Sequence, residues 1–279
     1  MQKGSTFILD NNKEQMLRKL SDCRRVVIKL GTSTLTHPTG RMNLRRFHNL
    51  VRVMADLHNA GKELILVSSG AVGLGIGKLG LRERPSSTPA KQACAAVGQC
   101  ELMYLYDRQF ANYSVTVGQV LLTKAVLNPD GGTNAGNCIE ELLKMGIIPI
   151  VNEHDTVAID ELELEIGEND SLAAIVAGIS KADLLILMSD IDGLYSADPH
   201  KDTSASLIPI VYEIDESIEK IAGGAGTPNA RGGMATKISA AKIANRHGID
   251  MVIVNGQRPE VLYDLFEDLS IGTRFVANT

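Results

Sequence analysis

The chain has 279 residues, with 28 lysines and arginines against 33 aspartates and glutamates, a net charge of −5. Basic residues occur singly or in pairs, which excludes the clustered positive face needed for nucleic acid or an anionic membrane. An apolar fraction of 44% excludes disordered, collagen-like and fibrous classes, and the length suits one large α/β domain or two smaller ones. In chain order, residues 1–23 read as an extension with a helical segment, NKEQMLRKLS, at 12–21. Short runs rich in Val, Ile and Leu then read as strands buried on both faces, at 25–30, 63–68, 115–122, 146–151, 183–188 and 250–254. Between them, 44–61, 90–110, 134–146, 170–180 and 233–248 carry helical periodicity, and several end in a capping glycine. This alternation predicts a mostly parallel sheet with helices on both faces. Ligands of such folds sit beyond the carboxyl ends of the strands, so the residues after each strand are the ones to inspect.

Cys23, Cys94, Cys100 and Cys138 form no CxxC pair and no zinc spacing, which predicts reduced thiols. The longest apolar runs, such as LLILM at 184–188, fall far short of the roughly 20 residues that span a bilayer. The first residues lack an apolar leader core, so a cytoplasmic protein is expected.

The first strand carries Lys29, a charge that is costly to bury unless it meets an anion. Gly31 and its neighbours Thr32 and Ser33 offer a phosphate cradle beside it. After the second strand, Gly75, Gly77 and Gly80 fit GxGxxG, but they lie several residues past the strand end and the acidic residue about 20 further on falls in a helical pattern. A dinucleotide site is therefore set aside. Ser68, Ser69, Gly70 and Ala71 at a helix start suit an anion, and the later glycines suit close helix packing. No Walker-type P-loop occurs.

Asn152, Glu153, His154 and Asp155 follow IIPIV and suit the ammonium and carboxylate of an amino acid. In GENDSLA, capping explains one of Glu168, Asn169 and Asp170 but not three in a row. A carboxylate there would orient a lysine or bind magnesium. Ser189 and Asp190 stand at a strand tip where a nucleotide would lie, while Asp192, Gly193 and Asp198 read as turn formers. In GTPNARGGMATK, 226–237, paired glycines open a helix with anion-facing amides, and Lys237 can reach a phosphate on that terminus.

In this order, VVIKLGTS, LVSSGA, VNEHD, GENDSLA, LMSDIDGLYSADP and GGMATK resemble the amino-acid kinase family, over about residues 24–277. Within it they look like the members that phosphorylate the side-chain carboxylate of L-glutamate, the first step of proline biosynthesis. The resemblance implies a three-layer αβα sandwich with a mostly parallel sheet of about eight strands. The glutamate-binding lobe would cover about 24–170 and the ATP-binding lobe about 171–279. Lys29 and Lys237 would neutralise the transferring phosphoryl, held in place by Asp170. Ser69, Gly70, Asn152, Asp155 and Asn169 match glutamate-binding positions. Lys29, Gly31, Ser189, Asp190 and the run Arg231, Gly232, Gly233, Met234, Ala235, Thr236 and Lys237 match ATP-binding positions. Mg2+ would bridge the ATP phosphates.

Glu168, His154 and Arg231 depart from the usual pattern, where Asp, Asn and a small residue are common. The family also implies inhibition by proline near the 152–170 loop and a homo-oligomer, dimer or tetramer. The RNA-binding-type domain that many members carry after the kinase domain is expected to be absent. The readings weighed against this one are a sister kinase of N-acetylglutamate, aspartate, carbamate or UMP, and a non-catalytic amino-acid sensor of the same fold.

Overall fold

A computed structural model of the chain describes residues 17–37, 42–157, 169–199, 201–223 and 233–277. Of the expected helical segment at 12–21, only 17–21 fall within the described residues, where a 3-10 turn spans Leu20–Asp22. The first half of the chain then forms β1 (Arg25–Leu30), α1 (Thr32–Leu35), α2 (Leu44–Asn59), β2 (Glu63–Ser68), α3 (Ala71–Leu79) and α4 (Thr88–Ala111). It continues through β3 (Val117–Leu122), α5 (Pro129–Lys144) and β4 (Ile148–Glu153). The second half forms α6 (Asn169–Ile179), β5 (Leu184–Ser189), β6 (Ile210–Val211), α7 (Glu216–Ile221) and α8 (Met234–Arg246). It closes with β7 (Asp250–Asn255), α9 (Val261–Phe266) and β8 (Thr273–Phe275).

The strands make one eight-stranded sheet in the order β3-β4-β2-β1-β5-β7-β8-β6. Pairing is parallel except between β7 and β8. From β1 the chain builds outward to one side through β2, β4 and β3, then returns to place β5 on the other side of β1. That reversal opens a crevice outside the carboxyl ends of β1 and β5.

Alternation along β1 sorts the two helical layers. Val26, Ile28 and Leu30 face a core that includes Phe47 of α2, Tyr106 of α4 and Leu262 of α9. Val27 faces the opposite core, with Ile139 of α5, Ala173 of α6 and Ala241 of α8. Lys29, two residues beyond Val27, therefore points to the α6 and α8 side at the carboxyl end of its strand.

The predicted strand at 146–151 sits at 148–153, because Asn152 and Glu153 pair with Leu121 and Leu122 of β3. The helix predicted at 134–146 starts at Pro129, whose fixed φ suits a first helical turn. The short elements β6, α7, α9 and β8 were not among the predicted ones. Each is two to six residues long, too short for periodicity to register.

The glycines after β2 bring α3 and α4 together. A Cβ added at Gly75 would lie 1.9 Å from the Cys94 carbonyl oxygen, and one at Gly98 would lie 1.7 Å from that of Ala71, whereas Gly77 has nothing within 4 Å. Gly75→Ala is therefore expected to force the helices apart and lower the melting temperature by several degrees. Gly77→Ala should leave it level or raise it slightly, since Ala is favoured over Gly in a helix by roughly 1 kcal/mol. Thermal unfolding of the two variants beside the wild type checks both.

Candidate active site

Three elements deliver charge to the crevice. Lys29 comes from the end of β1, Asp170 from the first turn of α6 and Lys237 from the first turns of α8. Lys29 Nζ lies 2.5 Å from Asp170 Oδ1, and Lys237 Nζ lies 3.1 Å from Asp170 Oδ2. All three side chains are close to buried, at 12%, 2% and 6% exposure for Lys29, Asp170 and Lys237. Thr236 Oγ1 donates to the Gly233 carbonyl at 2.8 Å and stands 3.4 Å from Asp170 Oδ2. Among the described residues two cations face this one carboxylate, an arrangement that suits an anion.

Helix termini add to that field. Gly233, the N-cap of α8, provides no side-chain cap, and among the described residues no side chain caps the first amides of this helix, at Met234, Ala235 and Thr236, which suit an acceptor. Gly31 caps the short α1 directly after β1. Ser189 ends β5, and its hydroxyl donates to Asp190 Oδ1 at 3.1 Å. Arg231, Gly232 and Glu168 lie outside the described residues.

On the α3 side three neutral side chains are bonded to one another, with the Asp155 carboxyl nearby. Gly70 caps α3 with φ +110°, a left-handed conformation that favours glycine. Asn169 Nδ2 donates to Ser69 Oγ at 2.5 Å and to Asn152 Oδ1 at 3.2 Å. Asp155 follows in the turn after β4, half-buried and outside this bonded trio. Burial pushes its carboxyl above the ordinary range, offset in part by His154.

The sequence reading did not single out Gln99 or Tyr106 of α4. Asn152 Nδ2 donates to Gln99 Oε1 at 3.0 Å, and the Tyr106 hydroxyl lies 2.9 Å from Ser68 Oγ. Their seven-residue spacing puts both on one face of α4, but nothing local in the sequence says what that face meets. Asp192, read as a turn former, accepts from Asn255 Nδ2 at 2.8 Å and so ties the tips of β5 and β7 together.

Burial acts to raise the Asp170 pKa, but the charges and hydrogen bonds of Lys29 and Lys237 outweigh it and hold the carboxyl below the usual range. A carboxylate held low contributes stability above its unfolded pKa of about 4 and loses it as pH falls through the folded value. Asp170→Asn is therefore expected to destabilise the protein at pH 7 by about 3 kcal/mol or more, the cost of leaving buried charges uncompensated. Its deficit relative to the wild type should shrink as pH falls from about 4 toward 2. Urea unfolding across that range measures the difference, and a deficit independent of pH would rule out a contribution from the Asp170 charge.

The amino acid kinase family model matches residues 24–255. The chain is 51% identical over 265 residues to the glutamate 5-kinase of Clostridium perfringens, covering 94% of this chain and 98% of that one. It is 52% identical over 261 residues to the glutamate 5-kinase of Symbiobacterium thermophilum, covering 93% and 98%. Among solved structures, the carbamate kinase from Giardia lamblia bound to AMP-PNP superposes with a TM-score of 0.65 at 16% identity, covering 92% of this chain and all of that one. The UMP kinase from Bacillus anthracis gives 0.61 at 15%, covering 92% and 97%. The fold is thus shared well beyond the reach of sequence identity, and at half identity over nearly the whole of both chains the relationship is one of descent: this chain belongs to the amino acid kinase family.

Proposed function

We propose that the chain transfers the γ-phosphoryl group of ATP to the side-chain carboxylate of L-glutamate, giving L-glutamyl 5-phosphate. The observation that carries this reading is the pair of lysines buried on a single carboxylate, beside a row of neutral donors and acceptors. The relatives named glutamate 5-kinase at about half identity support the choice of acceptor.

The chemistry asks little of acids and bases. A glutamate side chain with a pKa near 4.3 is already ionised at neutral pH, so no general base is needed. The obstacle is the approach of two anions, which oriented positive charge and amides relieve. Lys29 and Lys237 would hold the transferring phosphoryl from two sides, with Asp170 fixing their Nζ atoms. The open amides of α8 and the Gly31 backbone would take the remaining phosphate oxygens, and Ser189 and Asp190 would flank the nucleotide. Ser69, the Gly70 turn, Asn152, Asp155 and Asn169 would seat the amino acid, with Asp155 toward its ammonium. In this arrangement the acceptor lobe covers about 24–170 and the ATP lobe about 171–279.

No group of three or more His, Cys, Asp or Glu side chains suited to a metal occurs among the described residues. Mg2+ would then be held largely by the ATP phosphates, where it would neutralise charge on the β- and γ-oxygens. Among the described residues no helix is long and apolar enough to cross a membrane. Proline carries the same α-carboxylate and a cationic nitrogen, so it would compete for the groups that seat glutamate.

With ATP, Mg2+ and glutamate, the purified protein is expected to form an acyl phosphate that hydroxylamine traps as the hydroxamate. Lys29→Ala and Lys237→Ala should each lower kcat by about 10²–10³-fold, as removal of one transition-state donor does elsewhere. A preference in kcat/KM for N-acetylglutamate, aspartate, carbamate or UMP would overturn the assignment. Proline added to the same assay should raise the apparent KM for glutamate, and unaltered kinetics would remove it as a competitor.

A further inference from the structure

We infer that Gln99 is a positioning residue: it fixes the polarity of a row of amides and thereby turns the Ser69 hydroxyl proton outward, toward a carboxylate of the amino-acid substrate. The inference deepens the glutamate reading above and rests on it.

Helix α4 is brought under the strand tips by the absent side chain of Gly98, where an added Cβ would lie 1.7 Å from the Ala71 carbonyl oxygen. This close approach lets Gln99, only 9% exposed, reach the end of β4. An amide nitrogen only donates and an amide oxygen only accepts, so each bond in a row of amides constrains the next. Asn152 Nδ2 donates to Gln99 Oε1 at 3.0 Å, which turns Asn152 Oδ1 toward Asn169. Asn169 Nδ2 has two hydrogens and commits one to Asn152 Oδ1 and the other to Ser69 Oγ. Ser69 Oγ is thereby an acceptor on its inner side, and its single proton is left for the open side, next to the Gly70 turn and the start of α3. A carboxylate accepts hydrogen bonds and donates none, so it is the partner that this polarity fits.

Reversing the first member reverses the row. With a nitrogen facing Asn152, Asn152 and Asn169 would both have to turn over, and Ser69 would spend its proton on Asn169 Oδ1. Lone pairs would then face the substrate carboxylate, which repels them. Gln99 Nε2 finds no hydrogen-bond partner among the described residues, so the bond from Asn152 Nδ2 to Gln99 Oε1 is the contact through which Gln99 acts on the row, and the oxygen is the atom whose removal is tested.

The test is steady-state kinetics on the intact protein, with folding of each variant checked by thermal melting. Gln99→Met keeps length and burial but removes the acceptor. It is expected to raise the KM for glutamate by about tenfold or more, the scale of one hydrogen bond to a charged group, while kcat and the KM for ATP change by less than about threefold. Gln99→Glu keeps an oxygen opposite Asn152 and is expected to restore most of the glutamate KM. In a double-mutant cycle, Gln99→Met combined with Ser69→Ala should bind glutamate no worse than Ser69→Ala alone, because both remove the same donor. Additive losses, an equal rise in the KM for ATP, or a Gln99→Glu enzyme as impaired as Gln99→Met would each overturn the inference. If Gln99→Met does not fold, Gln99→Leu carries the same cycle. Wild-type hydroxamate formation from glutamate is measured first. Its absence would remove the acceptor reading itself, whereas turnover with an additive cycle would remove only the role of Gln99.

Discussion

The carboxylate of Asp170 between Lys29 and Lys237 sets the terms for the rest of the molecule. Each of these charges would be costly to bury alone, and the cost is recovered only if all three elements meet at one point. A strand, the first turn of one helix and the first turns of another must therefore converge, which requires β1 at the centre of the sheet with α6 and α8 on the same face. The observed strand order provides this, with β1 flanked by β2 and β5. The topology and the charge cluster constrain each other, since a slip of β1 by one residue would carry Lys29 to the face of α2 and α4.

Convergence of helix starts follows from the same βα connections. A helix that follows a parallel strand begins at the carboxyl edge of the sheet, so α3 and α6 present their N-terminal amides there, together with α8. Their dipoles favour negative charge at that edge. A protein of net charge −5 thus gathers Lys29, Lys237 and these helix starts at one edge of its sheet.

Much of this was legible in the sequence because it is local. Buried strands announce themselves as unbroken Val, Ile and Leu runs, and Lys29 stood out because it interrupts one. The glycines after β2 read as suiting close helix packing, and Gly75 lies where α3 meets α4. What stayed hidden was set by pairing across the chain. β8 is three residues long and exists because it pairs with β7 and β6, which no local pattern encodes. Gln99 sits within an ordinary helical stretch, and its meaning comes from Asn152, 53 residues away. The extent of β4 likewise depended on its register with β3, which drew Asn152 into the sheet and fixed its side chain to one face.

The division between charged and neutral groups has a catalytic logic of its own. Charge placed against the acceptor's carboxylates would hold them as firmly in the ground state as in the transition state, which lowers KM without raising kcat. Neutral amides and a hydroxyl instead face the carboxylates, with Asp155 left for the ammonium, and the strong positive charge is kept for the phosphoryl, where charge is redistributed during transfer. A neutral network has a cost of its own, because its donors and acceptors can be assembled in two opposite senses and only one presents a proton to the substrate. An acceptor opposite Asn152, here Gln99 Oε1, goes with the sense in which Ser69 keeps its proton for the substrate. On this argument Gln99 and Asp170 are counterparts: each orients groups that touch substrate without touching it, one through hydrogen-bond polarity and the other through charge.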